Sequence, residues 1–241
     1  MLRILTFLLL APLPAAADCV VLLHGLARSN TSFALLNEVL EREGYQTIVP
    51  DYASTEETIE RLAATTLPPA LAQCDPGPIH IVTHSMGGIL LRQFLSQNTI
   101  PELAHVVMMG PPNHGSEIVD EFANLQPFYW INGPAGLELH TGPDSTPNTL
   151  PPADYSLGII AGNRTLNPIY SNLLAGPDDG KVSVASTYLE GMRAHITMPV
   201  THTFMMNNPV VVAQVLNYLR NGTFEKGLSL ADLLADVVGL D

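Results

Sequence analysis

The tightest constraint on how this chain folds is a rhythm: short, unbroken apolar runs alternate with amphipathic stretches from residue 19 onward. Cys19-Val-Val-Leu-Leu-His24 is apolar up to its last position. That suits a strand covered on both faces of a parallel sheet, not one with a wet side. Thr31 to Glu43 carries Phe33, Leu36, Val39 and Leu40 at helical spacing, and Gly44 ends it. Gln46-Thr-Ile-Val49 reads as a second strand. Ser54, with Glu57 three residues on, reads as a capping box for a helix towards Leu67 that ends near Pro68-Pro69. Ile79–Thr83 is the third strand, Met86 to Gln97 the helix after it, and His105–Met109 the fourth strand. Leu157–Ala161 and His195–Pro199 supply later strands, and Pro209–Arg220 is a helix opened by proline at its first turn. A short amphipathic helix is expected over Leu228–Leu240. The fold class is therefore α/β: a mostly parallel central sheet of about six strands with helices on both faces. Ligands of such sheets bind at the carboxyl ends of the strands.

The rhythm breaks once. Residues 111–156 are rich in proline and glycine, hold the only Trp, and show no repeat. A segment this long inside a compact domain reads as a lid or a binding segment. Phe122, Phe128, Tyr129 and Trp130 fall within nine residues of one another. With Leu125, Ile131 and Leu137 they suit an apolar cap over a pocket, although each alone equally suits packing of the insertion onto the domain. A chain of 241 residues can bury one large core. Residues 18–241 are accordingly expected to form a single domain with a cap insertion at about 111–156.

Residues 1–17 stand apart. A single Arg3, the apolar stretch Ile4–Leu10, then Pro12, Pro14 and Ala15-Ala16-Ala17 describe a signal peptide with a small-residue cleavage site. A membrane-spanning helix needs roughly 20 apolar residues, so no permanent membrane anchor is expected. Export to the periplasm or beyond is. The formal charge of −13, from 23 acidic and 10 basic residues, argues against nucleic-acid binding. It also disfavours electrostatic docking on anionic membranes, so any lipid contact should be apolar and made through the insertion.

The strongest chemical signal is Thr83-His84-Ser85-Met86-Gly87-Gly88, between a strand and a helix. A nucleophile elbow needs a serine on a tight strand-to-helix turn with small residues two positions either side. Here Thr83 fills the first of them. The turn would lift the Ser85 hydroxyl clear of the backbone and aim a helix N-terminus at a developing anion. His24-Gly25-Leu26-Ala27-Arg28 follows the first strand, as an oxyanion-hole loop should. The expected donors are the backbone N–H groups of Leu26 and Met86.

With these motifs the chain resembles the α/β-hydrolase family, in particular its bacterial lipases and esterases. The matching pieces are His24-Gly25-Leu26-Ala27-Arg28-Ser29, Thr83–Gly88, Gly110-Pro-Pro-Asn-His-Gly115, Asp178-Asp-Gly-Lys-Val-Ser183 and Val200-Thr-His-Thr-Phe204. They span nearly the whole chain after the leader. The family order of nucleophile, acid and base implies Ser85, Asp179 and His202. Asp179 precedes Gly180 as in related lipases, with Asp178 its immediate rival. Of eight histidines only His195 and His202 follow the acid, and His202 sits on the loop after a strand, where the family places its base. Some related lipases hold calcium through an Asp two residues after the histidine. Phe204 stands there, so no metal and no cofactor is expected. Because the first and third strands are neighbours in this fold, a Cys19–Cys74 disulfide is reasonable.

The resemblance implies a serine hydrolase acting on carboxylic esters of small molecules or lipids, triacylglycerols among them, and the chain is expected to be a monomer. The alternative within the fold is an acyltransferase passing the acyl group to an alcohol or lipid acceptor. A non-catalytic binding module on the same scaffold is a third possibility.

Overall fold

The structure is a computed structural model that describes residues 17–231. The leader and most of the helix expected over 228–240 lie outside the described residues. Six strands form one sheet: β1 (Cys19–Leu23), β2 (Gln46–Ile48), β3 (Ile79–His84), β4 (Leu103–Met109), β5 (Leu157–Gly162) and β6 (Ala194–Met198). Their order is β2-β1-β3-β4-β5-β6, and every pairing is parallel. The chain leaves β1 outward to β2, then crosses back to β3 on the other side. The loops after β1 and β3 therefore diverge at their carboxyl ends, and this switch point is where such sheets hold ligands.

Continuous apolar strands appear because both faces are covered. Cys19, Val21 and Leu23 pack with Ile59 and Leu67 of α2 (Ile59–Leu71) and Ile89 of α3 (Met86–Leu95). Val20 and Leu22 face the other way, onto Leu36 and Leu40 of α1 (Ala34–Arg42) and Val211 and Val215 of α9 (Pro209–Asn221). All five β1 residues are fully buried. Cutting Leu22 to Ala would cost about 2–5 kcal/mol, because it leaves a cavity as well as losing apolar contact.

Two local expectations fail. Ser54 does not open α2. Thr58 does, its hydroxyl accepting the Arg61 N–H at 3.3 Å. Nor does α2 end at Pro68-Pro69; both prolines lie inside it. They fall in its last four residues, so the two ladder bonds they cannot donate are lost only at the end of the helix. The carbonyl of Pro68 still accepts from Ala72 N–H at 3.0 Å, and that of Pro69 from Gln73 Nε2 at 2.9 Å. The disulfide does form between Cys19 and Cys74, whose Cα atoms are 5.6 Å apart, tying the start of β1 to the loop before β3.

Residues 111–156 are more ordered than their sequence suggests. They hold α4 (Glu117–Phe122), α5 (Gln126–Leu137) and α6 (Thr146–Thr149), and α5 is broken at Gly133, just before Pro134. Helices this short and interrupted carry too few turns to print a 3.6-residue period. Two more one-turn helices, α7 (Pro168–Ser171) and α8 (Val184–Thr187), flank the loop that carries Asp178 and Asp179.

Candidate active site

At the carboxyl ends of β3, β5 and β6 three side chains meet. His202 Nε2 lies 3.0 Å from Ser85 Oγ, and His202 Nδ1 lies 2.7 Å from Asp179 Oδ2. A carboxylate only accepts, so Nδ1 carries the proton and donates it to Asp179. That leaves Nε2 as the acceptor for the Ser85 hydroxyl. His202 and Asp179 are almost fully buried. Further bonds hold the pair: His202 N–H donates to Asp179 O at 2.9 Å, and Asp179 Oδ1 accepts from the N–H groups of Lys181 and Val182 at 3.0 and 2.8 Å. Gly110 makes room beneath them. A Cβ there would stand 3.0 Å from Asp179 Oδ2 and 3.1 Å from His202 Nδ1.

The rivals point elsewhere. Asp178 accepts from Ser171 Oγ and, at 2.7 Å, from Gly180 N–H. His195 pairs through Nε2 with Thr187 Oγ1 at 2.8 Å and stacks on Tyr188. Neither is brought to Ser85.

Ser85 has φ 54° and ψ −127°, a strained backbone for a non-glycine residue, costing of order 1–3 kcal/mol. Its N–H donates to Met109 O at 2.9 Å, anchoring the turn. Gly87 lets the turn pack: a Cβ there would lie 2.3 Å from Leu23 O. The Thr83 in place of a small residue is accommodated by the second glycine, since a Cβ on Gly88 would come within 3.2 Å of Thr83 Oγ1.

Among the described residues only one other non-glycine residue has positive φ, Ala27 at 51°. It lies in the loop after β1, so both strained residues flank the same spot. This loop passes close to the elbow, as a Cβ on Gly25 would stand 2.9 Å from Ser85 Cβ. Leu26 lines the cavity beside Ser85, and Met86 contributes the first N–H of α3, one of the donors a helix leaves without an internal acceptor.

The loop has supports that the sequence did not reveal. Ser54 Oγ accepts the Ala27 N–H at 3.0 Å, and Ser54 is buried. Tyr52 donates its hydroxyl to His24 O and stacks on the His24 ring at a centroid distance of 3.8 Å. Ser54 looked like a helix cap, and no local pattern marks a serine that props a loop 27 residues away. His84 is a further support, and no sequence motif marks it as one. Its Nε2 donates to His202 O at 2.9 Å, and burial, then the neighbouring His202, hold its pKa well below the usual imidazole value.

A cavity of about 350 Å³ opens over Ser85 and His202. Its apolar wall includes Leu26, Ile118, Val119, Phe122, Phe128 and Leu139. Four of these come from α4 and α5, Leu139 from the stretch after α5, and Leu26 from the loop after β1. Trp130 and Tyr129 are exposed and do not line it.

The profile of the Alpha/beta hydrolase family matches residues 20–215. The chain belongs to the alpha/beta hydrolase family. No curated protein matches it. Among solved structures it is similar to mature lipase BlEst2 of Bacillus licheniformis, with TM-score 0.71 and 20% identity over 87% of this chain and 94% of that one. It is similar to a carboxyl esterase of metagenomic origin, with TM-score 0.65 and 20% identity over 92% and 72%. Phospholipase PlaB of Legionella pneumophila gives TM-score 0.67 and 17% identity over 87% and 60%. At these identities the likeness shows the alpha/beta hydrolase fold, not the substrate.

Proposed function

We propose that this alpha/beta hydrolase cleaves carboxylic esters through a covalent acyl-enzyme. The observation that carries the reading is the unbroken chain Asp179–His202–Ser85, with bonds of 2.7 and 3.0 Å, at the foot of an apolar cavity. Its lipase and esterase neighbours support the same chemistry.

In the first half-reaction the Ser85 Oγ–carbonyl carbon bond forms while His202 Nε2 takes the hydroxyl proton. Asp179 holds the imidazole in the donating tautomer and stabilises its charged form. The N–H groups of Leu26 and Met86 stabilise the oxyanion. The carbon–alkoxide bond then breaks, and the alcohol leaves with the proton from His202. Water repeats the sequence: His202 takes its proton, hydroxide adds to the acyl carbon, Ser85 Oγ leaves and is reprotonated, and the carboxylic acid departs. An alcohol entering instead of water would give acyl transfer.

The acyl chain occupies the apolar wall and the insertion acts as its cap. The enzyme works alone, as a monomer, after export and removal of residues 1–17. The Cys19–Cys74 disulfide suits an oxidising compartment.

The test joins labelling to turnover. A fluorophosphonate probe should label the wild type at Ser85, and p-nitrophenyl butyrate should be hydrolysed. Ser85→Ala should lose both. Undiminished turnover in that variant would refute the reading, and products formed with a competing alcohol present separate hydrolysis from transfer.

A further inference from the structure

Two side chains of the cavity have no part in this chemistry. Arg28 ends the loop after β1, Lys181 follows Asp179 by two residues, and both line the cavity with Ser85 and His202. They run against the composition. The chain has 23 acidic and 10 basic residues, yet no Asp or Glu is among the residues lining this cavity. Three cations elsewhere are taken up. Arg42 pairs with Glu38 and Arg220 with Glu43, while buried Arg92 donates to the carbonyls of Asn113 and Leu150. Arg28 and Lys181 make no ion pair among the described residues. Asp179 attracts Lys181, but its oxygens already accept from Lys181 N–H, Val182 N–H and His202. Lys181 is an exposed residue, but the protein around its ammonium, and then Arg28, lower its pKa, so the two cations sense one another. Like charges gathered beside an apolar wall are unfavourable until an anion joins them.

We propose that Arg28 and Lys181 form an anion subsite beside Ser85, and that the preferred ester carries a phosphate on its alcohol portion. The guanidinium fork matches two phosphate oxygens and the ammonium serves as a point charge for a third. The anion belongs on the alcohol side because the apolar wall takes the acyl chain. Two merely solvated cations would leave substrate preference unchanged. The inference rests on the ester-hydrolase reading and adds the class of ester.

The experiment measures kcat/KM on two matched pairs: 1-oleoylglycerol 3-phosphate against 1-oleoylglycerol, and 1-butyrylglycerol 3-phosphate against 1-butyrylglycerol. The wild type should prefer a phosphorylated member by about tenfold or more, the worth of one charge-assisted contact. In the double variant Arg28→Gln/Lys181→Gln that ratio should fall by a similar factor, and in the wild type it should shrink as salt rises. A preference in the oleoyl pair alone assigns a lipid headgroup; preference in both assigns any phosphorylated alcohol. Should the double variant fold poorly, glycerol 3-phosphate, but not glycerol, should competitively inhibit wild-type turnover of p-nitrophenyl butyrate. No preference in either pair, a ratio unchanged in the folded double variant, or equal inhibition by glycerol would overturn the subsite. Those results with Ser85 still labelled by fluorophosphonate leave the hydrolase reading standing. Absence of labelling together with absence of turnover sinks both.

Discussion

Ser85, Asp179 and His202 stand on loops at strand ends and are tied by backbone as well as side-chain bonds, from Ser85 N–H on Met109 O to His202 N–H on Asp179 O. Phe122, Leu125, Phe128 and Ile131, across the cavity, belong to a segment whose hydrogen bonds are its own: Leu125 N–H to Phe122 O, Phe128 N–H to Leu125 O, Asn132 Nδ2 to Phe128 O. Its bonds to the rest of the molecule lie on either side, where Ser116 Oγ donates to Lys181 O, Glu117 accepts from Ala175 N–H and Glu138 accepts from Ile59 N–H. The floor is over-determined and the roof is not. Residues on the floor should therefore govern the rate of the chemical step, and those on the roof which esters reach it.

The contrast breaks most sharply at the acid. Asp179→Asn should lower kcat by about 10³–10⁴, since an amide can no longer hold His202 in the donating tautomer. Asp178→Asn, one residue away, should cost far less, because Asp178 binds Ser171 and Gly180 and not His202. Burst and steady-state kinetics on p-nitrophenyl butyrate decide it. Comparable losses from both would mean that the loop acts as a unit.

Acid tests the floor a second way. His24, His80 and His84 are buried, and burial is the first cause lowering the pKa of each. A histidine with a lowered folded pKa binds fewer protons folded than unfolded. Its contribution is intact above the unfolded value, about 6.5, and is lost as pH falls below it. The slope reaches up to about 1.4 kcal/mol per pH unit per histidine while the folded form stays neutral. The melting temperature should drop between pH 7.5 and 5.5, and less steeply in His84→Gln, whose amide can still donate to His202 O. A melting temperature that is flat or rises on acidification contradicts this account.

Ser54 sharpens the comparison because it lies outside the triad yet belongs to the floor. It restrains Ala27, one of two strained non-glycine residues among those described. Removing a direct oxyanion donor costs about 10²–10³ in kcat. If the loop after β1 carries one, as proposed, loosening it should cost about tenfold in kcat with KM nearly unchanged, and Ser54→Thr should restore part of it. A Ser54→Ala variant that raises KM and spares kcat would move Ser54 from the floor's chemistry to binding.

The same division decides what the sequence could reveal. β1 and β5, buried along their whole length, write continuous apolar runs, and all six strands were legible within a residue or two of their ends, including the half-covered β2 and β6. The elbow and the loop after β1 were legible because close backbone approach demands small residues at fixed offsets, as Gly25 and Gly87 attest. Choosing Asp179 over Asp178 and His202 over His195 needed resemblance as well as position, and the 2.7 Å contact distinguishes them in space. Contacts between distant segments were illegible. Ser54 on Ala27, Tyr52 on His24 and the cations of the cavity have no local signature, and Ser54 followed by Glu57 imitated a cap that Thr58 provides. The insertion hid its helices because Gly133 and Pro134 interrupt the period that would have announced them.

The smallest effect is expected on the roof's outer surface. Trp130 is 74% exposed and does not line the cavity. Surface substitutions away from caps and buried polar groups usually change stability by less than about 0.5 kcal/mol, so Trp130→Ala should melt close to the wild type. On monomeric p-nitrophenyl butyrate it should turn over at the wild-type rate within about twofold, since nothing that touches the reacting atoms changes. With its neighbour Ile131, which does line the cavity and is 64% exposed, it presents apolar surface that water covers at a cost of roughly 25 cal/mol per Å². An emulsified long-chain ester offers that surface an apolar phase. If the roof governs access, Trp130→Ala should lower turnover of the emulsion by several-fold while the soluble ester is unaffected. Equal losses on both substrates would erase the distinction between floor and roof, because an exposed ring outside the cavity would then be controlling the chemical step.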